Sequence, residues 1–186
     1  RSLTHLTRRD RLNEANFDLP LARFDLADLA AAVLPHLPAD DDFRPWFEAA
    51  AHRHLLVDGV LNGSIDLVAR SEVDGRPRYW LADYKTNVIA DGIDFDHVDL
   101  VGEMVRDDYV LQTTLYQVAL HRFLRWRLGA AYDPSEDLLG SAYLFVRGMD
   151  PSRPANDTRG VLWWSLPLGA LEALDELFAT ASWSAA

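Results

Sequence analysis

The 186-residue chain contains no cysteine, which excludes disulfide bonds and thiolate metal sites and is consistent with a cytoplasmic protein. It has no run of about 18 apolar residues, so no membrane span is predicted. No signal peptide is predicted. The chain begins at Arg1 rather than Met, and its polar first stretch indicates a fragment of a longer protein. Positive charge is scarce: 18 basic residues face 29 acidic ones, for a net charge of −11. Isolated nucleic-acid-binding domains are usually basic, so a nucleic-acid function has to account for this charge.

The composition that remains is ordinary for a soluble globular protein, with 49% hydrophobic and 25% charged residues. The length suits one domain, which we take to be residues 1–186. Hydrophobic periodicity predicts the following elements in chain order: a strand at 12–19, helices at 24–37 and 43–51, a strand at 54–61, two strands within 63–87, a helix at 107–128, strands at 141–147 and 161–165, and a helix at 168–179. Asn62-Gly63 is interpreted as a hairpin turn between two of these strands, and the segment after Asn87 as an acidic loop. The order predicts a mixed α/β fold around one sheet.

The stretch GSIDLVARSEVDGRPRYWLADYKTN, residues 63–87, organises the prediction. Asp74-Gly75 is a strong two-residue hairpin signal, and with that loop Val73 faces Arg76. Asp66 then lies directly opposite Asp83, an unfavourable pairing of like charges unless a cation sits between them. Lys85 shares a face with Asp83, while Tyr84 points the other way. Because Pro77 cannot donate a ladder hydrogen bond, a bulge or a longer loop remains the alternative register.

Asp66, Asp83 and Lys85 have the residue types that metal-dependent phosphodiester hydrolysis requires. Mg²⁺ prefers carboxylate and carbonyl oxygens and retained waters, and it polarises a phosphoryl oxygen while lowering the pKa of a bound water. A nearby ammonium group can position the attacking water and offset charge on the phosphorane. Taken by its spacing alone, D-x16-D-x-K is also compatible with a surface Asp–Lys pair beside an unrelated aspartate.

Four segments together resemble one family. GSIDLV, LADYKTN, YVLQTTLYQVALHRFLRWRL and SAYLFVRGMD are similar to the C-terminal nuclease domain of RecB proteins, members of the PD-(D/E)XK superfamily. The similarity runs from about residue 3 to residue 178. Its most specific part is the order G-x-x-D-L, D-Y-K-[ST]-N and Y-x-L-Q-x-x-L-Y. The resemblance implies a restriction-endonuclease-like α/β fold, in which helices flank a mixed central sheet.

The resemblance also implies site residues and partners. Asp66 and Asp83 match metal-binding aspartates, the backbone carbonyl of Tyr84 matches a further ligand, and Lys85 matches the catalytic lysine. Glu14 is a looser match to an acidic residue at the edge of the site. The helix residues that border the site and contact DNA correspond to Gln112 and Tyr116. The implied cofactor is Mg²⁺, with Mn²⁺ or Ca²⁺ in its place, and the implied partners are DNA, helicase domains of the same parent chain and RecC- and RecD-like subunits.

One departure from the family is clear: the helix that carries a histidine ligand in a G-T-x-x-H setting has no counterpart here. We expect that helix to precede Arg1, so that the fragment binds metal weakly and is weakly active or inactive, even if the parent protein is active. Arg122, Arg125 and Arg127 form either a local basic strip or a solvated helix end. The leading interpretation is a Mg²⁺-dependent deoxyribonuclease module acting in double-strand break repair. The alternatives are a catalytically silent interaction module of the same fold and a nuclease acting on RNA.

Overall fold

The computed structural model describes residues 6–87, 93–154 and 156–179 of the chain. Its strands are β1 (Arg11–Asp25), β2 (Leu56–Val73), β3 (Arg76–Lys85), β4 (Leu138–Phe145) and β5 (Val161–Trp164). Its α-helices are α1 (Leu26–Val33), α2 (Arg44–Ala50), α3 (His97–Arg106), α4 (Tyr109–Leu128), α5 (Pro134–Asp137) and α6 (Leu168–Ala179). Within these described ranges, no helix has the length and apolar character needed to cross a bilayer.

The five described strands form one mixed sheet in the order β1-β2-β3-β4-β5. β1, β2 and β3 pair antiparallel, β3 and β4 pair parallel, and β5 returns antiparallel to β4. The parallel pair needs a crossover, which α3 and α4 provide in the chain between β3 and β4. A mixed sheet flanked by helices confirms the predicted α/β class and is compatible with a restriction-endonuclease-like fold.

The β2–β3 hairpin has the predicted register. Val73 pairs with Arg76, and the pairing continues without a shift to Leu67 and Ala82, so Pro77 introduces no bulge. Asp74 and Gly75 both have positive φ angles, 52° and 75°, as a type I′ turn requires. Turn chemistry was therefore sufficient to place these paired residues opposite each other. The predicted next pair, Asp66 directly opposite Asp83, is not part of the ladder, which ends at Leu67 and Ala82.

The predicted turn at Asn62-Gly63 is wrong. Both residues lie inside β2, where Asn62 pairs with Asp18 and Gly63 pairs with Phe17. The glycine serves close packing instead: a Cβ at position 63 would meet the ring of Phe17 at 2.5 Å. β2 is consequently one strand of 18 residues, and β1 runs beside it through Pro20, beyond the predicted end. Pro20 is tolerated because β1 is an edge strand of the described sheet.

The helices follow their capping and hydrophobic signals. The Asp25 carboxylate accepts from the backbone N–H of Ala27 and caps α1, as predicted, although the helix ends at Val33 rather than at residue 37. Gly129 is the C-cap of α4. α3 occupies part of the segment that was interpreted as an acidic loop. Asp96 caps its start, and Leu100 and Met104 are fully buried. Residues 88–92 of that predicted loop lie outside the described residues.

The core lies on both faces of the sheet. On one face, Val68 of β2 and Leu81 of β3 pack with Leu120 and Leu124 of α4. The opposite face carries a smaller cluster that includes Leu67, Trp80, Ala142 and Leu144. The largest cluster joins α1, α2, α3 and α6 to β1, β4 and β5. This packing holds α4 across the strands that carry Asp66 and Asp83, which positions the candidate site.

Candidate active site

Asp83 and Lys85 form a buried ion pair near the end of β3. Lys85, the only lysine in the chain, has its Nζ 2.7 Å from Asp83 Oδ2. The two side chains are only 9% and 7% exposed. Burial raises the pKa of Asp83, and the negative charge of Asp66 raises it further, while the hydrogen bond and charge of Lys85 lower it. The two groups predicted to share one face of the sheet therefore do so, and they contact each other directly.

Helix α4 contributes a hydrogen-bond chain that fixes the lysine. Gln112 Oε1 accepts from Lys85 Nζ at 2.8 Å and from the Tyr143 hydroxyl of β4 at 3.1 Å. The amide nitrogen of Gln112 donates to the Tyr116 hydroxyl at 3.1 Å, and that hydroxyl donates to the Ser64 carbonyl of β2. Residues four apart share a helix face, and the Gln112–Tyr116 hydrogen bond shows these two residues on the same face beside Lys85. Their contact with DNA stays a prediction.

Two tyrosine rings complete the surroundings of the ammonium group. Lys85 Nζ lies 3.6 Å from the ring centroid of Tyr109 and 5.2 Å from that of Tyr143, which are cation–π contacts. Burial raises the pKa of Tyr109 and raises that of Tyr143 well above its ordinary value, so both hydroxyls stay protonated at neutral pH. Of the three N–H donors of Lys85, two have acceptors and the third has none among the described residues.

Asp66 and Glu14 lie where the strand ladder is interrupted. The last β2–β3 pair is Leu67 with Ala82, and beyond it Asp66 Oδ2 accepts from the Tyr84 backbone N–H at 2.8 Å. On the other side, Glu14 is skipped in the β1–β2 pairing opposite Asp66 and has a φ of 50°. Both acids thus leave regular strand geometry at the same level of the sheet, with Glu14 exposed at its edge.

Strict alternation of side chains also fails here. Ile65 and Val68 pack into the same cluster with α4, although residues three apart along a regular strand point to opposite faces. The strand therefore changes phase around Asp66. This local distortion directs the Asp66 carboxylate to the Tyr84 backbone next to Asp83.

The donor set suits a hard cation with few protein ligands. No group of three or more His, Cys, Asp or Glu side chains among the described residues is arranged to hold a metal ion. Asp66 Oδ2 accepts from the Tyr84 backbone N–H and Asp83 Oδ2 contacts Lys85 Nζ, while neither Oδ1 accepts a hydrogen bond from a described residue. Mg²⁺ commonly binds one or two carboxylates, keeps several waters and takes the rest of its ligands from phosphate. The carboxylates of Asp66 and Asp83 fit such a cation, while the Tyr84 carbonyl and Glu14 as further ligands stay predictions.

Neighbouring contacts fix the start of α4 above the site. Asp108, with a φ of 54°, precedes the helix and accepts from Arg53 at 3.0 Å and from the Trp46 indole at 3.1 Å. The hydrogen bond from Arg53 is the main reason that the pKa of Asp108 is lowered. Asn87, the last residue of the D-Y-K-[ST]-N motif, donates to Asp107 at 3.2 Å. These contacts tie the end of β3 to the helix that holds Lys85.

A groove of about 290 Å³ opens beside the site between α4 and the first two strands. We call it the helix groove. It is lined mainly by apolar side chains and by the two predicted helix residues: Phe17, Leu61, Asn62, Gly63, Asp108, Leu111, Gln112, Leu115 and Tyr116. The rings of Phe17 and Tyr116 meet edge to face at 5.4 Å. The groove is therefore continuous with Gln112 and Tyr116 at the edge of the candidate site.

Sequence reasoning missed Tyr109, Tyr143 and Asn87. Tyr109 opens the Y-x-L-Q-x-x-L-Y motif, three residues before Gln112, so its place on the same helix face was recognisable. Tyr143 had no local signal, because it reaches the site through the parallel pairing of β4 with Asp83.

The basic strip is also not as expected. Arg122 and Arg125 both bind Asp175 of α6, at 2.6 and 2.5 Å. They are neither a free strip nor a solvated helix end. Arg127 makes no ion pair among the described residues and lines a different surface, described below.

A mixed sheet that brings two aspartates and a lysine together beneath a helix defines a restriction-endonuclease-like α/β domain. No family model matches the chain. It is 40% identical over 185 residues to "RecBCD enzyme subunit RecB" of Mycobacterium tuberculosis, covering 91% of this chain. The proteins of the same name from Mycolicibacterium smegmatis and Escherichia coli are 36% and 33% identical and cover 95% and 96% of it.

The chain belongs to the RecB family. It spans only 14% to 18% of the length of these relatives, so it corresponds to one segment of them. That extent is consistent with the C-terminal domain to which the sequence motifs pointed.

Proposed function

We propose that this chain is a Mg²⁺-dependent deoxyribonuclease module that hydrolyses phosphodiester bonds. The observation that carries the proposal is the Asp83–Lys85 pair, buried beneath Gln112 and next to Asp66. A structural ion pair in a core does not need a second carboxylate beside it, because that charge raises the pKa of Asp83 and opposes the pair. A site for a cation and a phosphate does need it.

The geometry supports the following roles. Asp66, Asp83 and the Tyr84 carbonyl would hold Mg²⁺, or Mn²⁺ or Ca²⁺ in its place, with Glu14 at the edge. When bound, the metal supplies Lewis acidity toward a phosphoryl oxygen and a water of lowered pKa. Lys85 directs its remaining N–H at the attacking water or at a phosphate oxygen, where it offsets the negative charge that develops. Gln112 positions Lys85, and Tyr116 fixes Gln112 through Ser64.

The relatives are named as subunits of the RecBCD enzyme. We extend this to the chain as part of the same proposal: it acts on DNA in recombination and repair. In that setting it is joined to helicase domains of its parent chain and to RecC- and RecD-like subunits. Delivery of DNA by those parts would explain how a nuclease module functions with a net charge of −11.

The test is cleavage of linear single-stranded DNA with and without Mg²⁺. We expect wild-type cleavage that EDTA abolishes and that falls by about 100-fold or more in Asp83→Asn and Lys85→Met, the order seen when one transition-state stabilising group is removed. Asp74→Asn makes the same Asp-to-Asn change at the hairpin turn, where Asn-Gly is equally favourable, and should retain activity.

The outcomes separate the alternatives. Equal residual cleavage in wild type and both site variants indicates contamination and leaves the catalytically silent interaction module as the better interpretation. Cleavage of an RNA strand but not of the DNA strand, lost in the same variants, identifies an RNA nuclease instead.

A further inference from the structure

Five arginines converge on a second cleft, away from the Asp83–Lys85 pair. Its volume is about 460 Å³, and Arg8, Arg9, Arg11, Arg70 and Arg127 line it. We call it the arginine cleft. Such a concentration is unexpected in a chain with 29 acidic residues and a net charge of −11. It brings a 3-10 turn at Arg8–Asp10, the start of β1, the C-terminal part of β2 and the end of α4 to one place.

Most arginines that line this cleft have no carboxylate partner among the described residues. Arg70 is paired with Asp10 at 2.7 Å, but Arg8, Arg9, Arg11 and Arg127 make no ion pair within the described part of the chain. Most other described arginines do have carboxylate partners, such as Arg53 with Asp108 and Arg76 with Asp137. Positive charges held together without counter-charges are favourable only if a polyanion or counterions neutralise them.

Aromatic side chains line the same cleft. Tyr79 of β3 and Phe123 of α4 are both part of its wall, and Phe123 is 39% exposed. Surfaces that bind single-stranded nucleic acid combine a positive groove along the backbone with aromatic rings on which bases stack. A base-paired duplex offers no free base faces to such rings, so this pairing of features favours a single strand.

The arginine cleft lies on the α4 side of the sheet, as the candidate active site does. Phe123 follows Tyr116 by seven residues and Arg127 follows it by eleven, which at 1.5 Å per helical residue is about 10 and 17 Å. On β1, Arg11 precedes Glu14 by three residues, again about 10 Å. The arginine cleft and the helix groove thus lie on opposite sides of Tyr116 along the helix.

We propose that the arginine cleft binds the phosphate backbone of a single DNA strand about 10–17 Å along α4 from Tyr116, with bases stacked on Tyr79 and Phe123. The inference rests on the proposed nuclease function for its substrate. Binding itself requires neither metal nor cleavage. The strand would run along the outer edge of β1, from the arginine cleft past Glu14 and Asp66 to the helix groove.

The experiment measures binding of a fluorescent oligo-dT strand by anisotropy, in EDTA, across a salt series. The Arg9→Ala/Arg127→Ala double variant removes two unpaired charges from the arginine cleft. Arg23→Ala/Arg159→Ala is the matched control: it makes the same change in net charge at two exposed arginines that lie outside the cleft. Poly-glutamate is the second probe, since an acidic peptide is the other polyanion that could occupy the cleft. Thermal melts verify that all variants fold.

Each phosphate contact to a single strand contributes about 0.7 to the slope of log association constant against log salt concentration, so losing two contacts should make the slope shallower by about 1.4. If the affinity at 1 M salt is unchanged, binding at 0.1 M salt is then about 25-fold weaker. We expect that change in the cleft double variant and less than about a twofold change in the control. Equal effects of both pairs would overturn the proposal. So would cleft variants that lose poly-glutamate but retain oligo-dT.

Cleavage is scored separately, which keeps the two proposals distinguishable. Weaker strand binding in the cleft variant supports the cleft whether or not the wild type cuts DNA. Conversely, suppose that the protein cuts DNA while the Arg9→Ala/Arg127→Ala variant binds the strand as tightly as wild type. That result leaves the nuclease proposal standing and refutes the arginine-cleft proposal.

Discussion

Replacing Lys85 by Met should destabilise the fold in a strongly pH-dependent way. The substitution keeps much of the side-chain volume but removes the ammonium group 2.7 Å from Asp83 Oδ2. Removing one partner of a buried ion pair typically costs about 3–5 kcal/mol. Because both side chains are less than a tenth exposed, solvent screening reduces this little, and we expect about 3 kcal/mol at alkaline pH.

The sign of the pH dependence follows from Asp83. Burial already raises its pKa above the ordinary value of 3.8, and Lys85 is the principal group that lowers it. A carboxyl group with a raised folded-state pKa destabilises the fold progressively as pH rises from its unfolded to its folded pKa. Without Lys85 the folded pKa rises further, so the loss continues to higher pH. At 1.36 kcal/mol per pH unit, a difference of about 3 kcal/mol develops over roughly two units.

The assay is urea unfolding in EDTA between pH 4.5 and 8.5, followed by tryptophan fluorescence. The difference between wild type and Lys85→Met should be smallest at acidic pH and reach a plateau at alkaline pH. Adding Asp83→Asn to the variant removes the uncompensated charge and should recover stability at pH 8. A constant difference at every pH, or no recovery in the double variant, would refute the claim that Lys85 stabilises the fold through the charge of Asp83.

Two further predictions concern packing around the site. Gly63→Ala should lower the free energy of unfolding by about 1–3 kcal/mol in chemical denaturation, because its Cβ would contact the Phe17 ring at 2.5 Å. The control Gly102→Ala, a helical position with no atom within 4 Å of the new Cβ, should instead stabilise by about 1 kcal/mol, and the reverse order would contradict this account. Gln117→Leu should destabilise by about 1–3 kcal/mol for each buried partner left unsatisfied; its amide accepts from the Leu166 backbone N–H at 2.9 Å and donates to Thr113 and Ser141. An unchanged thermal midpoint for this variant would show that water replaces the lost bonds.

What could be predicted from sequence was local or periodic. Asp74-Gly75 fixes a hairpin by turn chemistry, and that hairpin carries Asp66 and Asp83 to the same level of the sheet. Gln112 and Tyr116 follow from helical spacing. The turn prediction at Asn62-Gly63 is wrong because an Asn-Gly pair is typical of a turn. Here Gly63 is required for a different reason, its close contact with the Phe17 ring inside β2. The acidic composition of the segment that contains α3 predicted a loop. The segment is helical because Leu100 and Met104 form a buried stripe on one side of the helix.

Contacts between distant segments could not be predicted. Tyr143 reaches Gln112 only through a parallel strand pair, and no local pattern encodes that pairing. Arg122 and Arg125 appear basic in sequence, yet Asp175, about 50 residues later, neutralises them. The change of phase at Asp66 depends on two strands being distorted together, opposite Glu14.

The enclosure of Lys85 by Asp83, Gln112 and Tyr109 makes the site chemically addressable. Because the chain has no other lysine, amine-directed reagents have one side chain to modify, and any reaction beyond the terminal amine reports on this position. The side chain is only 9% exposed, so its labelling rate measures how often the surrounding side chains move apart. Mass spectrometry of the intact protein can therefore follow the opening of this one enclosure directly, without an introduced probe.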